Sequence, residues 1–199
     1  IVNLKSQTDM SGFYIIYEGS TNLEKEGWYG ISHLMEHLMC KNFEHLHDKF
    51  DEDGIDWNAY TSSNEVVFYF TGLDEFLSPV KDEIVQLMSN FNVTEEQFNK
   101  ERSIVLQEYT DYFSKQTDSH YLNVNRKLFK DFDPIGKKED LINLTYDDCV
   151  EYFDIQFSKP TKIINVSAKS PFKTKIEFSK YEFDREFEFG PYDEVPLEE

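Results

Sequence analysis

Apolar positions along the chain change rhythm several times, and each change marks an element. Residues 12–18 (GFYIIYE) form a short apolar run rich in β-formers and predict a strand. The polar stretch 19–27 predicts a loop. From 28 to about 50 the spacing becomes helical, with Ile31, Leu34, Met35, Leu38 and Met39 recurring at three and four. One helix is expected there, broken by residues 51–54. Residues 56–61 and 65–71 then predict a hairpin around Ser62, Ser63 and Asn64. Its second strand puts Val66, Phe68 and Phe70 on one face and Val67 and Tyr69 on the other.

Asp74 opens a further helix through Phe76, Val80, Ile84, Leu87 and Met88. Thr94 followed three residues later by Gln97 is a capping-box signature, and the helix it starts is expected to reach about Ser114. Another helical stretch covers 118–130 and stops at Pro134-Ile135-Gly136. Thr145 and Asp148 open a helix over 145–157. Residues 162–168 predict a strand and 173–181 another. From 183 the chain is acidic and alternating, then proline-bearing. Strands and helices segregate unevenly, so the expected class is α+β: one domain over 1–182, then an edge strand or loose tail over 183–199.

Composition narrows the functional classes. The 199 residues are 39% hydrophobic and 16% aromatic, enough to bury a core rather than stay disordered. Thirty-nine acidic residues against 20 basic ones give a net charge of −19, which repels nucleic acid and anionic membranes. No stretch approaches the ~20 apolar residues that cross a bilayer. The two cysteines, Cys40 and Cys149, form no CxxC pattern, which argues against a thiolate metal site and for a reducing, cytoplasmic setting. Residue 1 is Ile, so a trimmed native start is compatible with the sequence.

The chemistry concentrates in His33-Leu34-Met35-Glu36-His37. Histidines four apart on a helix project from one face, where two imidazole nitrogens can reach one zinc ion at ~2.0–2.1 Å. Glu36 borders the same face, able to take a proton from a water and later give it to a leaving amine. Such a pentad also arises by chance, so a third ligand matters. The helix from Thr94 carries Glu101 and Glu108, seven residues apart on one face and ~10.5 Å apart along the axis. Either could complete the site, the other orienting a histidine through its second ring nitrogen. His45, His47 and His120 are weaker candidates: the first two lie on different sides of a helix, and His120 has no partner nearby in sequence.

These residues resemble a known family. Gly30-Ile-Ser-His-Leu-Met-Glu-His-Leu is similar to the metal helix of the pitrilysin–insulysin–mitochondrial processing peptidase family. Gly54-Ile-Asp-Trp-Asn-Ala-Tyr-Thr61 and the aromatic strand after it resemble the family's next motif. Glu101-Arg-Ser-Ile-Val-Leu-Gln-Glu108 resembles its E-R-x5-E helix. The likeness spans about 12–168. It implies a mixed, largely antiparallel sheet packed against helices. It also implies a zinc endopeptidase acting on short or unfolded peptides, with His33, His37 and Glu108 as ligands, Glu36 as base and Glu101 in support of the catalytic site. Asn58 and Ala59 would lie on the strand that pairs with extended substrate.

The sequence departs from the family pattern where Cys40-Lys41-Asn42-Phe43 replaces a Gly-Thr, and where the 37-to-108 spacing is shortened. Family members pair homologous domains, so a homodimer or a second homologous subunit is expected to complete the active site. The other expectation is a non-catalytic or weakly active partner subunit that binds substrate or scaffolds an assembly.

Overall fold

The computed structural model describes residues 1–114, 133–169 and 171–180. Its frame is a five-stranded sheet: β1 (Val2–Lys5), β2 (Met10–Glu18), β3 (Asp56–Thr61), β4 (Glu65–Leu73) and β5 (Lys162–Ser167), in the order β1-β5-β2-β4-β3. β1 runs parallel to β5 and the other pairings are antiparallel, so the sheet is mixed and mostly antiparallel. The α+β class expected from the sequence holds.

Alternation along β2 and β4 builds the core. Phe13, Ile15 and Tyr17 stand opposite Phe70, Phe68 and Val66 in register, and all six are essentially inaccessible to solvent. Onto this face pack α1 (Ile31–Lys41) and α3 (Asp74–Met88). Each contributes a stripe at helical spacing: Ile31, Leu34, Met35, Leu38 and Met39 from α1, and Leu77, Val80, Ile84 and Met88 from α3. α4 (Glu95–Ser114) begins at the predicted capping box, Thr94 and Gln97 each donating a backbone N–H to the other's side chain. α5 (Lys138–Asn143) and α6 (Tyr146–Tyr152) follow, and α6 runs into a π-turn, Phe153–Phe157. Thr145 and Asp148 form the capping box of α6.

Several expectations need correcting. The single helix over 28–50 is three pieces: α1, a 3₁₀ turn Glu44–Leu46, and α2 (His47–Asp53). The chain leaves the helix after Lys41, and Asn42, in the break, bonds Asn90 O and Asn92 N through its side chain. Residues 51–53 do not break α2 but finish it, and Gly54 caps it at φ 65°. β1 and α5 were not expected. Residues 173–180 carry no strand; Phe172 and its neighbours are held by Asn3, whose amide donates to Phe172 O and accepts from Phe172 N. The helix expected over 118–130 and the tail over 183–199 lie outside the described residues.

Candidate metal centre

The site rests on how α1 begins. Gly30, the residue before the helix, has φ 100°, a left-handed conformation that costs a side chain strain. Gly136 (φ 76°) presses against it: a Cβ there would lie 2.4 Å from Gly30 Cα and from Tyr29 O. The first N–H groups of a helix need outside acceptors. Glu24 supplies two, its carboxylate oxygens accepting from Gly30 N and Ser32 N at 3.0 Å each. Ser32 Oγ donates in turn to Tyr152 OH (2.7 Å), which donates to Ser20 O. Burial pushes the Glu24 carboxyl up to about 7 against the pull of those N–H donors.

With one face of α1 in the core, His33, Glu36, His37, Cys40 and Lys41 point the other way, towards α4 and β3. Glu108 Oε2 lies 3.6 Å from His33 Nε2 and 3.6 Å from His37 Nε2. Two ligands ~2.0–2.1 Å from a tetrahedral zinc are about 3.3 Å apart, so this opening is close to the size the ion needs. Among the described residues these three form the group of potential metal ligands whose donor atoms all lie within 4.8 Å of one another. Burial, then the neighbouring His37, holds the His33 imidazole down at about 4. It is therefore neutral at ordinary pH, the form that ligates metal.

Glu101, seven residues earlier on α4, reaches the other side of His37. Its Oε2 is 3.4 Å from His37 Nδ1 and its Oε1 3.1 Å from Lys41 Nζ. Val105, fully buried between the two glutamates, fixes the face of α4 that they share. The sequence left open which glutamate completes the histidine pair; in the fold, Glu108 stands with both Nε2 atoms and Glu101 with Nδ1.

Glu36 Oε2 accepts a 2.5 Å hydrogen bond from Thr61 Oγ1 at the end of β3. Burial raises the Glu36 carboxyl and nearby Glu108 adds to this, while Thr61 and His37 pull it back. Beside Glu36 and His37 opens a cavity of about 240 Å³, walled by Cys40, Trp57 and Ala59. A larger one, about 370 Å³, lies against Lys81 and Phe172 and touches none of the metal-centre residues. β3 is the sheet edge on this side. Asn58 there is exposed, and its Oδ1 accepts from Ala59 N at 2.8 Å, satisfying an outward-facing edge donor.

The other histidines do not join the metal-ligand group, although His47 lines the same cavity. His47 stacks on Trp57 (ring centroids 4.6 Å, 27°), His45 is exposed, and His120 lies outside the described residues. Three neighbours escaped sequence reasoning: Glu24, Lys41 and Thr61. Lys41 could have been found, since it follows His37 by four on the same helix face. Glu24 sits in a stretch that reads only as a polar loop.

Comparison with known proteins agrees with this architecture. Residues 6–134 match the family model described as "Insulinase (Peptidase family M16)". A probable mitochondrial-processing peptidase subunit beta from Arabidopsis thaliana is 22% identical over 193 residues, covering 92% of this chain and 36% of that protein. An uncharacterized zinc protease from Rickettsia bellii is 29% identical over 128 residues, covering 62% and 31%. The chain thus spans about a third of the length of these relatives. Among solved structures, a protease from Helicobacter pylori has a TM-score of 0.68 at 21% identity, covering 82% of this chain and 42% of that one. A peptidase M16 inactive domain from Pseudomonas fluorescens has a TM-score of 0.65 at 12% identity, covering 88% and 50%. At these identities the structures speak for the fold alone. The family match reaches across β2, the histidine helix, the β3–β4 hairpin and α4, more than half of the chain, and the chain belongs to the insulinase family, peptidase family M16.

Proposed function

We propose that this chain is the metal-bearing part of a zinc-dependent endopeptidase that cleaves short or unfolded peptides. The observation that carries the reading is the convergence of His33, His37 and Glu108 on one opening with the Glu36 carboxylate alongside. Zinc held there by His33, His37 and Glu108 would supply a Lewis acid for the scissile carbonyl.

The residues do the rest. Glu101 accepts the Nδ1 proton of His37, which turns Nε2 towards the opening. Lys41 balances that buried carboxylate: burial opposes the lysine's charge, but Glu101 and Glu44 outweigh it and hold the ammonium above its ordinary value. Glu36 takes a proton from the attacking water and returns it to the leaving amine; a carboxyl raised by burial is the better base for that exchange. The exposed edge around Asn58 and Ala59 aligns extended substrate by main-chain hydrogen bonds, once the Asn58 side chain releases Ala59 N.

A homodimer or a second homologous subunit facing β3 is part of the proposal, supported by relatives whose names are those of subunits. A homodimer of so acidic a chain joins through apolar surface and tightens with salt; a basic hetero-partner loosens with it. The second reading, a non-catalytic partner, draws on the Pseudomonas fluorescens inactive domain. Glu36 favours the enzyme, because a scaffold has no use for a base beside the histidine pair. Zinc analysis of the purified chain, paired with cleavage of an unstructured peptide pool, separates the two. About one zinc per chain with cleavage supports the enzyme, and zinc without cleavage the partner.

A further inference from the structure

We propose that Thr61 is the positioning residue of Glu36, and that the loop over residues 19–24 sets the spacing between them. The inference rests on the peptidase reading and deepens it.

Glu36 is on α1 and Thr61 is 25 residues later, at the end of β3. Thr61 Oγ1 donates to Glu36 Oε2, and among the described residues it is the hydrogen-bond donor to that carboxylate. A glutamate has three side-chain torsions, and a terminal carboxylate rotates broadly about the last. One hydroxyl on Oε2 removes that freedom and leaves Oε1 to exchange protons.

Such a contact needs α1 and β3 indexed against each other to within ~0.5 Å. The 19–24 loop is built to do this. On one side it grips the β3–β4 turn: Ser20 Oγ donates to Ser62 O (2.6 Å), Thr21 Oγ1 and Asn22 Nδ2 both donate to Ser63 O (3.0 Å), and Gly19 N donates to Asn64 O (2.7 Å). On the other side Glu24 holds the first N–H groups of α1. Ser20, Thr21 and Glu24 are 0%, 1% and 6% exposed, unusual for polar loop residues, which are mostly solvated. Ser20 also takes a positive φ of 45°, a strained conformation that persists only where the surroundings enforce it. A short polar segment thus bridges the helix that bears the base and the hairpin that bears its threonine.

The test uses the full chain with Thr61→Val, Thr61→Ser, Glu36→Ala, which removes the acceptor of the Thr61 hydroxyl, and the Thr61→Val/Glu36→Ala double variant. At equal zinc content, Thr61→Val is expected to lower kcat for an unstructured peptide by about 10–100-fold, the scale of a misplaced catalytic group, with KM nearly unchanged. Thr61→Ser restores most of the rate, because the hydroxyl is what matters. Thr21→Val, which touches neither the base nor the histidines, lowers kcat in the same direction but less. On the metal-free chain, denaturant unfolding of the four-member cycle is non-additive, reporting the contact without reference to activity. An unchanged kcat in Thr61→Val, a serine variant as slow as the valine, or an additive cycle overturns the inference. A zinc-loaded parent that cleaves nothing with any co-purifying partner retained overturns the peptidase reading instead; the unfolding cycle then still decides whether Thr61 holds Glu36.

Discussion

Glu101 Oε2 lies 3.4 Å from His37 Nδ1, behind the ring, and its other oxygen meets Lys41 Nζ at 3.1 Å. The position gives it a different task from Glu108, whose Oε2 is 3.6 Å from Nε2 of the same ring. Removing an outer partner of a metal-bound histidine typically weakens binding by ~10–100-fold. Glu101→Gln is therefore expected to weaken zinc affinity by that factor, and Glu108→Ala to weaken it more. Chelator competition on the two variants checks the order. Equal, negligible losses would mean that neither glutamate serves the metal.

Glu24 should leave a signature in the pH dependence of stability. Its folded pKa, about 7, is raised above the ordinary 4.5, so between those values the folded chain binds more protons than the unfolded one. Stability from this group therefore falls as pH rises through that window, and the full loss is present above about pH 7. The loss is on the order of 3 kcal/mol. Glu24→Gln keeps an acceptor for one α1 N–H group and removes the titration. Urea unfolding of both proteins at pH 4.5 and pH 8 is expected to show a fall in the parent that the variant lacks. Parallel pH profiles would rule the assignment out.

Two glycines of positive φ, Gly136 against the start of α1 and Gly27 in the turn before it, predict a contrast. At Gly136 an added Cβ meets Gly30 Cα and Tyr29 O at 2.4 Å, with φ at 76°. Gly27 shares a positive φ, 87°, but nothing lies within 4 Å of its would-be Cβ. Gly136→Ala is expected to destabilise by about 2–4 kcal/mol, strain plus overpacking, and Gly27→Ala by about 1–2 kcal/mol, strain alone. Thermal unfolding of the two variants measures the difference. Similar losses would show that the Gly30–Gly136 approach yields easily.

What could be read from the sequence was what local spacing encodes. The α1 stripe and its pentad, the hairpin faces of β4, and the Thr94 and Thr145 capping boxes each depend on residues three or four apart, or on strict alternation. What escaped depends on distant partners. β1 is four exposed residues whose parallel mate, β5, begins at Lys162, so no periodicity marks it. The break after Lys41 was hidden because Phe43, Leu46 and Phe50 continue a three-and-four spacing into the next helix, while Asn42 turns to Asn90 and Asn92. Glu24 acts on backbone N–H groups, which leave no mark in a sequence. The Glu101–Glu108 ambiguity had the same origin: both share one face of α4, and only the placement of α1 tells them apart.

The central claim is that Glu36 is the base beside a zinc held by His33, His37 and Glu108. Glu36→Gln keeps the shape, and its amide oxygen can still accept from Thr61, but it cannot take a proton. General acid–base groups contribute ~10²–10⁴ in rate. The most direct measurement is peptide hydrolysis by zinc-loaded parent and Glu36→Gln protein at equal zinc content, with any co-purifying partner retained. The account predicts about one zinc per chain in both and a loss of at least ~10² in kcat for the variant. A variant that cleaves at nearly the parent rate would contradict it.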